Sequence, residues 1–423
     1  IKKETALSPD HVLEYCILVN LLGECISMGY FKERLYQQYV ILFIFYFMSM
    51  AALSSLITVY MRDIGKNGSE ISFILILSNI IALIIQGLIG YSNEQWGTRK
   101  TVTIYVLISA IISMGLFFFT GNWLFGLVYG LANAITLGLA PLFDVLAANS
   151  PYRFGQIRLW GTIGYAAGQQ ISGIIYDFLS PKSIFILYLA CYFASIVFLY
   201  TLPKPEQPIV SSEQPAEKKE EISGGHTIRN IFQNKLFITY LLLAFIIFGT
   251  NTVNTSYLPL LLTDTGAPVA IVSTTLTVAL FAEVIAMAFS HRFMDHFTNK
   301  QLLLAVLFLS GTEYLINFLS DDFLVLSIAT VLTKFFASGT FIMLNLKMVS
   351  TLLNRKLIAT GTAVVAMLSR NIGTIFFQLM AGPVIDNVGL NYLYLILFVF
   401  TVLAAVIALL FKVPAQPKER LFS

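Results

Sequence analysis

The chain has 423 residues, of which 57% are hydrophobic and only 12% are charged, and its formal net charge is +3. Soluble domains carry about 25% charged residues, so this composition excludes an ordinary soluble domain and indicates a membrane protein. The mean hydropathy of +0.79 agrees with that class.

A membrane-spanning helix requires about 20 mostly apolar residues. Stretches of this kind recur along the chain and predict an all-α membrane protein with twelve transmembrane helices. The predicted spans cover residues 40–61, 70–91, 101–120, 124–147, 156–179, 183–202, 237–262, 269–289, 301–319, 323–348, 358–385 and 391–412.

Residues 1–36 precede the first span and are predicted to be a leader. The sequence opens on Ile1, and its first methionine is Met28, directly before a short basic stretch. We expect Met28 to be the biological start and residues 1–27 not to be native. The alternative is a genuine amphipathic N-terminal helix.

Residues 203–235 interrupt the apolar pattern with three prolines, a run of mixed charge and a Gly-Gly pair. Such a composition is typical of a solvated linker. It divides the chain into two predicted six-helix bundles, 37–202 and 236–412, with a tail over 413–423.

The two halves carry an internal repeat. Residues 158–163 in the fifth span and 370–375 in the eleventh share Arg, Gly, Thr and Ile at matching positions. Each stretch continues to a Gly-x-x-x-Asp sequence, at Gly173–Asp177 and Gly382–Asp386. Repetition in register predicts two pseudo-symmetric bundles related by an axis along the membrane normal.

Positive charge is distributed unevenly along the chain, and this predicts its orientation. If both termini are cytoplasmic, most of the 26 lysines and arginines lie in the inner segments. The outer loops contain only Arg62, Lys66 and Lys182. By the positive-inside rule, we therefore expect a multi-pass protein of the cytoplasmic membrane with cytoplasmic N- and C-termini.

Six of the charged residues inside predicted spans are candidates for a site within the membrane. Each would cost at least about 2.5–3.5 kcal/mol in hydrocarbon, so such residues normally face a partner or a wet cavity. Three are acidic and three are basic, which favours internal pairing along a solute path. They are Asp144, Arg158, Glu283, Glu313, Lys334 and Arg370.

Asp144 and Arg158 flank a tight turn, and each lies about seven residues from its centre. At 1.5 Å per residue both are about 10 Å deep on antiparallel neighbours, so they are predicted to meet. The pair binds substrate or is a permanent structural ion pair. Thr162 and Tyr165 follow Arg158 at i+4 and i+7, on the same helix face.

The seventh span carries two amides three residues apart, Asn251 and Asn254. Buried amides require partners, and each offers donors and an acceptor. They are candidates for substrate binding, with hydrogen bonding between helices as the alternative.

Glu283 is the strongest candidate for a proton carrier because it stands alone in an apolar stretch. Burial favours its neutral form, whereas a nearby cation such as Lys334 or Arg370 would favour the carboxylate. Alternation between those surroundings would couple protonation to conformation, and a structural ion pair is the alternative. Glu313 is a lesser candidate.

The stretch 90–100, GYSNEQWGTRK, resembles the loop between spans two and three of the major facilitator superfamily, with Glu94 where Asp is usual. Residues 140–144, 155–161 and 381–382 add a resemblance to the lactose-permease and nucleoside–proton symporter branch. The resemblance covers residues 28–412 and implies a loop that acts in conformational change. Its candidate residues are Gly90, Glu94, Gly97, Arg99 and Lys100.

The resemblance also implies roles at the site. Asp144 and Arg158 match an acid and an arginine that hydrogen-bond substrate hydroxyls, and Tyr165 matches an aromatic that stacks on the sugar ring. Arg370 matches a lysine whose acidic partner would here be Asn251, so that pairing is lost. A carboxylate in the eighth span is a hallmark of the branch, although Glu283 is offset by about one turn.

These features favour a proton-coupled uptake symporter for a small polar solute, such as a sugar, oligosaccharide or nucleoside, working by alternating access. An aromatic carboxylic acid symporter, a multidrug efflux antiporter and a membrane nutrient sensor are alternatives. The spans carry no zinc-hydrolase motif, so we expect no enzyme, no metal and no cofactor, with the proton gradient as the driving force. The expected partners are the solute, protons and lipid, without nucleic acid, and the expected state is a monomer.

Overall fold

A computed structural model of the chain describes residues 33–119, 123–202, 231–293, 296–353 and 357–411. Most of the predicted leader, linker and tail lies outside these residues. The described part contains twelve long helices. They are α1 (Arg34–Asp63), α2 (Gly68–Trp96), α3 (Thr98–Phe118), α4 (Leu124–Ala148), α5 (Phe154–Phe178), α6 (Ser183–Thr201), α7 (Lys235–Asp264), α8 (Val269–Phe293), α9 (Asn299–Leu319), α10 (Phe323–Leu352), α11 (Ile358–Val364, Val365–Ile372 and Gly373–Asn387) and α12 (Leu390–Leu410).

Eleven of these helices are long and apolar enough to cross a membrane by length and composition. The exception is α5, which carries Arg158, Asp177 and several glutamines and glycines along its 25 residues. At 1.5 Å per residue it still measures about 37 Å, enough to cross the roughly 30 Å hydrocarbon core. The prediction of twelve transmembrane helices is confirmed.

Three helices depart from regular α geometry. In α1 the helix is interrupted by a turn at Ser55 and Leu56. In α10 and α11 there are π-helical segments over Lys334–Ser338 and Val365–Ile372. Such segments are rare and are frequent at functional sites. The two candidate cations of the C-terminal bundle, Lys334 and Arg370, lie in them.

The two halves pack with the same pattern. In the first bundle α1 packs on α5 and α6, and in the second α7 packs on α11 and α12. The contact of α2 with α4 has its equivalent in α8 with α10, and α3 and α9 occupy matching outer positions. Two pseudo-symmetric six-helix bundles, predicted from the repeat, are therefore present.

The bundles meet mainly through α2 with α11 and α5 with α8, two pairs related by the pseudo-symmetry. Glycine permits the close approach in both. A β-carbon at Gly382 would lie 2.7 Å from the Cα of Ser69, and one at Gly173 would collide with the side chain of Ser273. The glycines of the repeated Gly-x-x-x-Asp sequence are thus points of contact between the bundles.

The aspartates of the same sequence cap helices of the opposite bundle. Asp177 accepts hydrogen bonds from the first two backbone N–H groups of α8, at 3.3 and 2.7 Å. Asp386 accepts from the first two backbone N–H groups of α2, at 2.6 and 2.9 Å. Each carboxylate satisfies N–H groups that a helix terminus leaves unpaired and lies at the positive end of a helix dipole. We call these two contacts the capping latches.

Both latches lie at one end of the molecule, where the turns after α1, α5, α7 and α11 are found. Further contacts between the bundles accompany them there. Thr58 donates to the carbonyl of Ser256 at 2.8 Å, the hydroxyls of Ser72 and Tyr257 lie 2.5 Å apart, and Arg62 pairs with Asp264 at 3.8 Å. We call this end the closed end.

Candidate functional site

Three adjoining cavities lie between the bundles, and Tyr165 of α5 lines all of them. The ion-pair compartment has a volume of about 230 Å³ and is lined by Phe47, Met50, Arg158, Gly161, Thr162, Tyr165 and Leu280. The cationic compartment, of about 430 Å³, includes Asn251, Thr255, Glu283, Lys334 and Arg370. The neutral compartment, of about 210 Å³, includes Ser78, Asn79, Tyr129, Asn133, Gln169 and Gln378.

Asp144 and Arg158 form an ion pair in the N-terminal bundle, as their matched depths predict. Arg158 Nε lies 3.0 Å from Asp144 Oδ1, and both side chains retain more than a third of their exposure. The guanidinium also lies over the ring of Phe47, with Cζ 4.4 Å from the centroid. Arg158 lines the ion-pair compartment. Asp144 contacts its Nε and is not among the lining residues.

The predicted face of α5 is present in the structure. Thr162 and Tyr165 line the ion-pair compartment together with Arg158. The Tyr165 hydroxyl lies 3.5 Å from the hydroxyl of Ser54 on α1, which orients the ring toward the point where the compartments meet. A ring at that junction can contact a solute in any of the three.

Lys334 is held by α7 rather than by an acid. Its ammonium donates to Asn251 Oδ1 at 3.1 Å and to Thr255 Oγ1 at 3.3 Å. No carboxylate among the described residues lies within 4.0 Å of Lys334 or Arg370, and Glu283 has no cation within that distance there. The compartment therefore presents two cations and one acid to its interior.

Asn254 and Glu313 interact with each other outside the three compartments. Asn254 Nδ2 donates to Glu313 Oε1 at 2.9 Å, and the two residues are 1% and 2% exposed. The sequence predicts Asn254 as a substrate-binding partner of Asn251 and Glu313 as a lesser candidate for the proton carrier. Their placement differs because residues three apart on a helix point about 60° apart. Asn251 faces the cavity, whereas Asn254 faces α9 and draws Glu313 inward.

The loop residues of the 90–100 stretch lie at the end opposite the closed end. Gly97 terminates α2 with φ +76°, which favours glycine. Arg99 donates to the carbonyl of Tyr200 at 2.7 Å and lies 4.4 Å from that ring's centroid. It thereby binds the C-terminus of α6, where carbonyls lack helical partners.

The other candidate residues of this loop make few contacts. Lys100 lies over the ring of Trp96, Glu94 is exposed, and Gly90 has open space around it.

The amides of the neutral compartment were not identified from the sequence. Asn79, Asn133, Gln169 and Gln378 come from four different helices, α2, α4, α5 and α11. The sequence nevertheless indicates them: a buried amide without a partner costs several kcal/mol in an apolar medium, so an amide inside an apolar span is a candidate for a site. The predicted candidates were the charged residues, the face of α5 after Arg158 and the amide pair of the seventh span, and they did not include these four amides.

Residues 36–415 match the model of a family described as MFS_1 like. The chain belongs to the MFS_1-like family. It is therefore a multi-span membrane transporter of the major facilitator type, and the predictions of a transporter and not an enzyme are confirmed. The six-plus-six arrangement, with compartments between the two bundles, is that expected of such a transporter.

Curated relatives are distant but match most of the chain. A maltose permease of Geobacillus stearothermophilus is 24% identical over 380 residues, which are 87% of this chain and 93% of the permease. The uncharacterized transporter YwbF of Bacillus subtilis is 23% identical over 85% of this chain and 89% of its own length. A sucrose permease of Escherichia coli is 22% identical over 46% of this chain and 49% of the permease.

Solved structures share the fold. The nucleoside transporter NupG superposes with a TM-score of 0.76 at 17% identity, covering 89% of this chain and 98% of that one. A D-xylose-proton symporter superposes with a TM-score of 0.63 at 16% identity, covering 90% and 97%. At these identities the likeness concerns the fold alone.

Proposed function

We propose that this transporter takes up a neutral, hydroxyl-rich solute, a sugar, oligosaccharide or nucleoside, together with protons. The two bundles would rock around the three compartments in an alternating-access cycle. With both termini cytoplasmic, the closed end faces outward, so the structure corresponds to a state sealed toward the exterior. The transporter would work as a monomer in the cytoplasmic membrane.

The observation that carries this proposal is the mixed lining of the compartments around Tyr165. Hydroxyls and amides provide both donors and acceptors, which a sugar hydroxyl requires. Arg158 adds a planar group of several donors beside an aromatic ring. Two of the curated relatives, the maltose permease and the sucrose permease, are named as sugar transporters, which supports a sugar.

Proton coupling is assigned to Glu283. It lines the same compartment as Lys334 and Arg370 and has no ion-pair partner among the described residues, so its carboxyl is available for protonation from the cavity. Lys334 is held by Asn251 and Thr255, and release from them would let it approach an ionised Glu283. Glu313 is sealed behind Asn254 and is the weaker candidate for proton exchange with the cavity.

The test uses purified protein in liposomes. A gradient of one pH unit supplies about 1.4 kcal/mol per proton, which drives about tenfold accumulation of a solute carried with one proton. We expect the wild type to accumulate maltose or uridine under this gradient. Glu283→Gln should abolish accumulation but keep exchange of labelled for unlabelled solute, because exchange requires no net proton movement.

Glu70→Gln is the matched control, since it makes the same change at an exposed carboxylate of the closed end and an amide still serves its capping box. It should accumulate solute as the wild type does. Undiminished accumulation by Glu283→Gln would refute the assignment of the proton carrier. Failure of the wild type to move any sugar or nucleoside would refute the proposed substrate class.

An aromatic carboxylic acid is a second candidate, favoured by the two cations that face one acid in the cationic compartment. A carboxylate could bridge Lys334 and Arg370 while its ring packed on Phe248 or Phe341. Benzoate is a suitable probe in the same liposomes. Gradient-driven benzoate accumulation without sugar or nucleoside uptake would replace the first proposal with this one.

A further inference from the structure

The neutral compartment differs from its two neighbours in chemistry. None of the described residues that line it is charged, and its polar groups are amides, hydroxyls and two tyrosines. The amides converge from both bundles, three from the first and Gln378 from the second. Neutral donors and acceptors on several sides match a neutral polyhydroxylated ring better than an ion.

Part of this polar lining is satisfied within the protein. Asn133 donates to the hydroxyl of Ser78 at 2.9 Å, and Asn79 donates across the bundle interface to Gln378 Oε1 at 3.2 Å. Gln169 is different: it is 8% exposed, and its Oε1 has no hydrogen-bond partner although it is fully buried. A buried acceptor without a donor is costly, so rotation of this amide toward a hydroxyl donor in the compartment would be favourable.

The size of the compartment also indicates a ligand. Its volume of about 210 Å³ is more than ten times the roughly 10–15 Å³ that one water molecule requires. Tyr129 and Tyr165 provide ring surfaces beside the amides. The space therefore accommodates a polar ring and not only a single bridging water.

The neutral compartment continues the wall of the ion-pair compartment. Arg158, Thr162, Tyr165 and Gln169 follow one another on one face of α5, at intervals of three or four residues. Arg158 and Gln169 are eleven residues apart, or about 16 Å along the helix axis. A single sugar ring measures only a few ångströms across, which is much less than this separation along the helix.

We propose that the neutral compartment is a second sugar subsite and that the solute is a disaccharide. One ring lies against Arg158 and Tyr165, and the other lies beyond Tyr165 among Asn133 and Gln169. A nucleoside is the competing occupant, because amides also hydrogen-bond the edges of a base, and the probes below distinguish the two. This inference rests on the proposed transport of a neutral hydroxylated solute and specifies its size.

The test compares ligands on the purified protein by thermal stabilisation and by calorimetric binding. The probes are maltose, sucrose, glucose and uridine. The wild type should bind at least one disaccharide more tightly than glucose. Gln169→Leu, which keeps the side-chain bulk and removes the amide, should weaken disaccharide binding about tenfold and leave glucose binding unchanged. Unchanged glucose binding also shows that the variant is folded.

Gln86→Leu is the matched control, because it makes the same change at an exposed residue of α2 outside the compartments, and it should bind every probe as the wild type does. Equal effects of Gln169→Leu on glucose and disaccharide, or no effect on either, would overturn the second subsite and leave sugar transport standing. Binding of uridine but of no sugar would likewise overturn it and keep the proposed function. Binding of no sugar and no nucleoside would overturn both.

Discussion

Asn254 and Glu313 show what a buried polar pair does to its surroundings. Both are almost fully buried, and the carboxyl receives a hydrogen bond from the amide at 2.9 Å. A buried carboxyl deprived of its donor loses more free energy than the bond itself contributes, since the desolvation of the remaining partner is then uncompensated. The pair therefore links α9 to α7 within the second bundle.

We predict that Asn254→Leu lowers the free energy of unfolding by about 1–3 kcal/mol, because it leaves Glu313 buried without this donor. The double variant Asn254→Leu with Glu313→Leu should recover most of this loss, since neither polar partner then remains. Thermal unfolding of the purified proteins measures both changes. A double variant no more stable than Asn254→Leu would show that the two side chains do not act as a pair.

At the scale of helices, the repeated Gly-x-x-x-Asp sequence explains how the bundles hold each other. The glycine allows α5 and α11 to approach α8 and α2, and the aspartate one turn later caps the approached helix. A carboxylate at a helix N-terminus stabilises by about 0.3–1 kcal/mol at exposed sites. Two such latches bias the equilibrium toward the state in which this end is closed.

We predict that Asp177→Asn and Asp386→Asn each increase the fraction of molecules open at the closed end by a factor of about two to five. The double variant should show approximately the product of the two factors, because the latches share no residues. With the native cysteines replaced by serine, spin labels at Lys182→Cys and Asp321→Cys report the distance between bundles at this end.

Labels at Lys100→Cys and His296→Cys, near the opposite end, are the control. Their distance should shorten as the closed end opens, since the bundles rock as units. A longer distance at both ends would indicate loosened packing instead. An unchanged distribution at the closed end would mean that the latches do not control it.

The sequence predicted the helices better than their local geometry. The spans at 237–262 and 156–179 correspond to α7 and α5 within two residues, because hydropathy follows the bilayer. The π-helical segments and the turn within α1 were not predicted, since they depend on packing between helices. The different placement of Asn251 and Asn254 has the same cause, because the face that a side chain presents depends on how its helix is rotated.

At the scale of the whole molecule, internal symmetry and charge asymmetry have different consequences. The symmetry relates α2–α11 to α5–α8 and places equivalent latches on both sides of the central cavity. The charges do not follow it: the first bundle contains a closed ion pair, whereas Lys334, Arg370 and Glu283 remain without ion pairs among the described residues. On the proposed function, the first bundle would hold the neutral solute and the second would respond to protons.

We predict that the closed end faces the exterior. A membrane-impermeant thiol reagent should label Lys182→Cys in intact cells, because this exposed residue lies in the turn after α5 at that end. Lys100→Cys should be labelled only after the membrane is permeabilised. The reverse pattern would refute the cytoplasmic placement of the termini, and the closed end would then face the cytoplasm.

The two sides of each latch differ in how they tolerate mutation. The acceptor is a carboxylate, so most single substitutions at Asp177 or Asp386 remove it. The donors are main-chain N–H groups, which every residue except proline supplies. Substitutions other than proline at Ser69, Val269 and Ala270 therefore keep the contact, whereas most substitutions of the aspartates remove it. Among homologues that keep this seal, variation should accumulate at the starts of α2 and α8 and be excluded from the ends of α5 and α11.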